Sequence, residues 1–135
     1  MKESTARKRL LRLFKEAGVP AIPVENTSWP GTPDIAYPEG WIEVKTIENC
    51  NLPKRITTPI RIDHFTAQQR HFAYWWTKGE GRCYMVLVLG KLWLLLDGEY
   101  YWQSFGRHTI EEIRENALLE SHHIFDPQEF LEEIR

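Results

Sequence analysis

Two apolar runs place the strongest constraint on this chain. Residues 83–89 and 91–97 are joined at Gly90-Lys91, and nearly every position from Cys83 to Leu96 is hydrophobic. A strand with one face in water alternates apolar and polar residues, so a run without alternation must be covered on both faces. Such a hairpin belongs at the centre of a sheet or beneath a helix. The remaining segments have to supply the covering layers.

Residues 4–17 read as the first of these layers. Ala6, Leu10, Leu13, Phe14 and Ala17 recur at helical spacing, with Arg7, Lys8, Arg9, Arg12 and Lys15 mostly on the flanks. Ser4 or Thr5 can cap the start, and Gly18 with Pro20 supplies the stop. Short β-type runs follow at 21–25, 34–37 and 41–47, the last two separated by Pro38, Glu39 and Gly40. The connection over 48–63 is polar and carries Lys54, Arg55 and Arg61; at this length inside a small domain it is more often functional than idle. A second helix is predicted over 66–78, with Asp63 or Thr66 near its start, Gly79 and Gly81 at its end, and an apolar stripe of Phe65, Phe72 and Trp76. Beyond the hairpin, 100–105 reads as a further strand and 109–119 and 126–134 as acidic helices. The prediction is an α/β fold with a mixed central sheet of four or more strands flanked by helices. Its order is α, β, β, β, α, β, β, followed by carboxy-terminal helices.

Length and charge narrow the function. At 135 residues and 16.0 kDa the chain has the size of one domain over 1–135, with a core at about 3–105 and an acidic extension at about 106–135. No apolar run approaches a membrane span, and the amino terminus lacks the apolar stretch of a signal peptide, which predicts a soluble, cytoplasmic protein. Cys50 and Cys83 are too few and too isolated for a disulfide framework or a thiolate zinc site. The formal net charge of -2 by itself disfavours a nucleic-acid partner. Its distribution reverses that inference. Residues 1–82 carry thirteen Lys or Arg against nine Asp or Glu, a net of +4, whereas residues 83–135 carry four against ten, a net of -6.

The chemistry concentrates in Gly31-Thr32-Pro33-Asp34 and Glu43-Val44-Lys45. Along a strand Glu43 and Lys45 project to one side, about 7 Å apart, and Ile42, Val44 and Thr46 to the other. Pairing Tyr37 with Ile42 sets Asp34 opposite Lys45 and Ala36 opposite Glu43, so the three charges converge; a slip of one residue separates them. Two convergent carboxylates suit a hard divalent cation, with Mg²⁺ keeping several waters, and a lysine beside them can orient an attacking water and stabilise charge on a phosphoryl oxygen. The alternative is a surface hairpin in which Glu43 simply pairs with Lys45. Gln69 shares the helical stripe of Phe65, Phe72 and Trp76, so its amide either meets an active-site group or sits at the rim with its head in solvent. Glu3 can reach a metal or favour the positive end of the first helix.

These residues together resemble the PD-(D/E)xK nuclease superfamily, and within it the VRR-NUC-like branch of small phage and bacterial nucleases. The resemblance spans roughly residues 3–90: Glu3 opening a helix, Gly31-x-Pro33-Asp34, Glu43-x-Lys45, Phe65-Thr66-x-x-Gln69, then the apolar hairpin. It implies a restriction-endonuclease-like fold, with Asp34, Glu43 and the Val44 carbonyl as metal ligands, Lys45 as the catalytic lysine and Gln69 as a positioning residue. Glu3 matches the first-helix acid. The implied activity is Mg²⁺-dependent hydrolysis of DNA, with Mn²⁺ the alternative ion, by a structure-selective endonuclease that resolves branched or four-way DNA as a homodimer in a bacterial or phage-infected cell. Lys8, Arg9, Arg12, Lys54, Arg55 and Arg61 are the candidates for phosphate contact. Rival functions are a nuclease acting on duplex ends or nicks and a non-cleaving DNA-binding module. Other constellations are weaker. Asp97, Ser104 and His108 lack a nucleophile-elbow context, and Trp75 and Trp76 can stack unpaired bases, although Trp76 is more simply core.

Overall fold

A computed structural model describes residues 1–25, 28–48 and 57–135. The elements are α1 (Glu3–Glu16), β1 (Ile22–Pro23), β2 (Ile35–Tyr37), β3 (Gly40–Ile47), α2 (Ala67–Lys78), β4 (Arg82–Leu89), β5 (Leu92–Asp97), α3 (Gly98–Ser104), α4 (Ile110–Asn116), β6 (Leu119–Ser121) and α5 (Pro127–Ile134). Among the described residues six strands form one sheet in chain order, antiparallel throughout except for the parallel pair β3 and β4. A parallel pair cannot be closed by a tight turn, and the connection that joins these two contains α2. The result is the expected mixed sheet flanked by helices, a restriction-endonuclease-like α/β architecture. Among the described residues no helix is long and apolar enough to cross a membrane.

The β4–β5 hairpin occupies the inside of the sheet, and its lack of alternation follows from two separate hydrophobic clusters. On one face Tyr84, Val86, Val88, Trp93 and Leu95 meet Leu10, Leu13 and Phe14 of α1 and Phe130 and Ile134 of α5. On the other, Met85, Leu87, Leu89, Leu94 and Leu96 meet Ala73 of α2, Tyr101 of α3 and Ile113 of α4. Each buried aliphatic side chain contributes about 1.5–3 kcal/mol of transfer free energy, so residues on both faces of these strands add to the core. On β3, Ile42 and Val44 join the α1 face, which turns Glu43 and Lys45 toward α2.

Several predicted elements differ from the structure. Of the residues predicted as a strand at 100–105, Tyr100 to Ser104 lie in helix α3 and Phe105 is its C-cap. Asp97 accepts from the Glu99 amide at its start, and Tyr101 and Ser104, three residues apart, are both buried. Cap and packing here outweigh the β preference of consecutive aromatics. Helix α4 ends at Asn116, and the chain then pairs as β6 with β5, where the Leu118 amide donates to the Leu95 carbonyl at 2.8 Å. Covering the β5 edge satisfies backbone groups that a longer helix would leave unpaired. Helix α1 starts at Glu3 with Lys2 at the cap position, so neither Ser4 nor Thr5 caps it; Glu3 supplies negative charge to the first turn instead. Trp76 is 40% exposed rather than core. Helix α2 approaches the sheet through its small, fully buried Ala73, which leaves the larger aromatics on its flanks.

Candidate active site

The site is built where β2 runs out. The β2–β3 ladder pairs Tyr37 with Gly40, Ala36 with Trp41 and Ile35 with Ile42. This register differs by two residues from the expected pairing of Tyr37 with Ile42. Gly40 is not spent in the turn. It begins β3 beside Arg82 of β4, where an added Cβ would stand 2.4 Å from the Arg82 carbonyl oxygen, so a two-residue loop of Pro38 and Glu39 closes the hairpin. A shift of two preserves the faces of the strand, and the pairing now runs toward Asp34 opposite Glu43 rather than Lys45. Past Ile35 the outward amide of Val44 has no β2 residue to bond. The Asp34 carboxylate takes that place, its Oδ2 accepting from the Val44 amide at 2.8 Å.

Glu43 and Lys45 are almost fully enclosed, 1% and 4% exposed, beneath the start of α2. Thr66 and Gln69 form a reciprocal cap there: the Gln69 amide donates to Thr66 Oγ1 at 3.1 Å, and the Thr66 amide donates to Gln69 Oε1 at 2.9 Å. That leaves the Gln69 Nε2 group directed at Glu43, with a long contact of 3.4 Å to Oε1. The amide is therefore neither wholly inside nor simply at the rim; one end serves the helix and the other serves the site. Lys45 Nζ donates to the His64 carbonyl at 3.0 Å and lies 3.9 Å from Glu43 Oε1, so the ammonium is held mainly by the backbone ahead of α2.

The amino-terminal turn of α1 closes the opposite side. Glu3 Oε1 is 2.5 Å from His64 Nε2, and Arg7 lies 3.5 Å from Asp34 Oδ1. Glu3 and Arg7 are one helical turn apart and face the same way. Burial pushes the Glu43 carboxyl well above the usual carboxylate range, and the adjacent Asp34 carboxylate adds to the rise through its charge and a hydrogen bond between the two groups; Lys45 opposes it. Two acids crowded in this way call for a proton or a cation between them. Among the described residues no group of three or more His, Cys, Asp or Glu comes together as a metal-binding cluster.

The structure thus brings Asp34, Glu43, Lys45 and Gln69 together, with Glu3 linked to them through His64. Lys8, Arg9, Arg12 and Arg61 are exposed, while Lys54 and Arg55 lie outside the described residues. Arg7, His64 and Thr66 were not singled out as site residues from the sequence. The spacing Thr66-x-x-Gln69 is a capping-box signal, and Glu3 and Arg7 stand at the i,i+4 spacing of paired helical side chains. Nothing local marks His64, whose part depends on the fold. Asp97 serves as the cap of α3, and His108 Nδ1 pairs with the Tyr100 hydroxyl at 2.7 Å, which accounts for both structurally.

Gly31 ties the Asp34 loop to α2. Its φ is +89°, and a Cβ there would stand 2.3 Å from the Gln68 carbonyl oxygen and 2.9 Å from the Gln69 nitrogen. Gly31→Ala is expected to cost about 1–3 kcal/mol, measured by chemical unfolding, because rigid backbone rather than a flexible side chain must give way. Parental stability in that variant would show that the close approach is relaxed in solution.

No family model matches this chain, and no curated protein matches it. Among solved structures there are proteins of similar fold. One is Hjc of the archaeal hyperthermophile Archaeoglobus fulgidus, a Holliday junction resolvase, with a TM-score of 0.55 and 20% sequence identity over 83% of this chain and 91% of that one. The likeness at that identity is one of fold.

Proposed function

We propose that this protein is a divalent-metal-dependent endodeoxyribonuclease of the PD-(D/E)xK superfamily, of the VRR-NUC-like kind, that cleaves branched or four-way DNA as a homodimer. The observation that carries this reading is the convergence of Asp34, Glu43, Lys45 and Gln69 at the end of β2 and beneath the start of α2. The fold shared with a Holliday junction resolvase supports the choice of substrate. Asp34 and Glu43 offer carboxylate oxygens, and the Val44 carbonyl leaves β3 on the same side as the amide that Asp34 binds. This all-oxygen donor set fits Mg²⁺, or Mn²⁺ in its place, better than a softer ion. The cation would act as a Lewis acid at the scissile phosphate and lower the pKa of an attacking water.

The chain's own residues do the rest. Lys45 holds a positive charge in a desolvated pocket, where it orients the nucleophile and stabilises charge developing on the phosphoryl oxygens. Gln69 fixes the Glu43 carboxylate, Arg7 fixes that of Asp34, and Glu3 anchors the His64 segment whose carbonyl aims Lys45. Exposed Lys8, Arg9 and Arg12 on α1, with Arg61 and the basic Lys54-Arg55 pair, supply phosphate contacts that position DNA without reading its sequence.

The test is cleavage of four-way, nicked and blunt linear DNA with and without Mg²⁺, comparing the parent with Asp34→Asn. The parent is expected to cut four-way DNA only with metal, and Asp34→Asn to lose roughly 10²-fold or more of that activity while still binding the junction. Binding without cleavage under either metal would replace the enzyme with a DNA-binding module. Equal cutting of blunt duplex would replace the branched substrate.

A further inference from the structure

Three tryptophans are exposed: Trp29 and Trp75 at 68% and Trp76 at 40%. All three line one groove of about 640 Å³, together with Pro30, His71 and Phe72. That volume is in the range of clefts that enclose a small planar ligand.

One wall is held rigid from behind. Trp76 stacks on Phe72 with ring centres 5.4 Å apart and planes 11° from parallel, and Trp41 meets both rings edge-on at 5.9 and 5.6 Å. Gly81 leaves room for the Trp76 indole, since a Cβ there would stand 2.3 Å from Nε1. Trp75 lies over His71 at 5.4 Å and stands out from this packed wall. The Trp76–Phe72 wall of the groove is therefore ordered before any ligand arrives, which lowers the entropy lost on binding.

Charge and position select the ligand. No Asp or Glu lines the groove and helix α2 contains none, while Arg70 and Lys78 lie on the neighbouring Tyr74 side of the same helix, Arg70 over Phe65 and Lys78 over Tyr74, where a phosphate backbone passing the groove meets positive charge. Its inner end is formed by Pro30 and by Ala67 and Gln68, adjacent to Gly31 and Gln69, the two residues that join the Asp34 loop to the start of α2. Bases inside a duplex stack on one another and expose no face, so a stacking groove selects nucleotides that are unpaired.

We propose that this groove seats an unpaired nucleobase of the DNA substrate, stacked on Trp75, beside the phosphodiester presented to Asp34 and Glu43. This deepens the nuclease reading and rests on it. The groove is a determinant of structure selectivity: a junction centre, a flap or a frayed nick can supply the base, and an intact duplex cannot.

Equilibrium binding in EDTA, read by fluorescence anisotropy on a labelled oligothymidylate and on a blunt duplex of equal length, tests the groove without requiring cleavage. Trp75→Ala is expected to weaken oligothymidylate binding by about five- to a hundred-fold and to leave the duplex within about two-fold, with Trp75→Phe recovering most of the loss. No loss, or an equal loss on both probes, overturns the proposal. So does a Trp75→Ala variant that turns a dimer into a monomer in sedimentation while oligothymidylate affinity is unchanged, since the groove would then be a subunit interface. The two readings fail separately. Selective loss of oligothymidylate binding in a protein that cuts nothing would retain the base site and remove the nuclease. Asp34-dependent cleavage with parental binding by Trp75→Ala would retain the nuclease and remove the base site.

Discussion

Lys45→Met is expected to reduce the cleavage rate on four-way DNA by about 10²–10³-fold while junction binding stays near the parental value. Methionine keeps most of the aliphatic stem and removes only the ammonium, so loss of packing does not confuse the result. Lys45 is 4% exposed, and its Nζ is 3.0 Å from the His64 carbonyl. In such an enclosed position a charge acts through little water and strengthens its effect on a developing oxyanion. Lys45→Arg is not expected to restore the rate, because a planar guanidinium cannot occupy the place of a compact point charge between His64 and Glu43. Single-turnover cleavage with a parallel binding isotherm separates the two effects. A Lys45→Met protein that cuts at the parental rate would remove Lys45 from the mechanism.

Phe130→Ala is expected to cost about 3–5 kcal/mol, the largest stability effect among the substitutions considered. Phe130 is fully buried, stacked on Phe125 at 5.4 Å and edge-on to Phe14 of α1 at 5.6 Å. It thus joins the acidic carboxy-terminal segment to the helix that carries Glu3 and Arg7. Two further ties hold the same segment to the β2–β3 hairpin: the Tyr37 hydroxyl donates to the Ile134 carbonyl at 2.6 Å, and Arg135 Nε donates to Glu39 Oε1 at 2.9 Å. Urea unfolding measures the loss directly. A cost below about 1 kcal/mol would mean that α5 rests on the sheet without completing its core.

Much of the fold is legible because its signals are local. The unbroken hydrophobicity of 83–96 requires a covered hairpin, and β4 and β5 are covered on both faces. Helices α1 and α2 follow from apolar spacing and from glycines at their ends. The departures occur where a neighbour outweighs propensity. Aromatic residues at 100–102 favour a strand, yet Asp97 caps a helix there and Tyr101 fills the core beside Cys83. Residues 119–121 carry no strand signal of their own and pair because β5 presents an open edge. The Gly40 turn signal misleads for a related reason: its missing side chain is used against β4, which shortens the loop and moves the register by two.

The sequence by itself determines which side of β3 bears Glu43 and Lys45, because strand geometry alternates and Ile42 and Val44 must face apolar neighbours. It also places Gln69 near the start of a helix and concentrates positive charge in the first 82 residues. Only the tertiary structure decides that Asp34 replaces a missing strand partner at Val44, that His64 aims Lys45, and that Glu3 and Arg7 reach the site from the opposite face of the sheet. Those contacts join residues 10 to 61 positions apart, and side chains so distant in sequence meet only after the sheet has formed and its helices have packed.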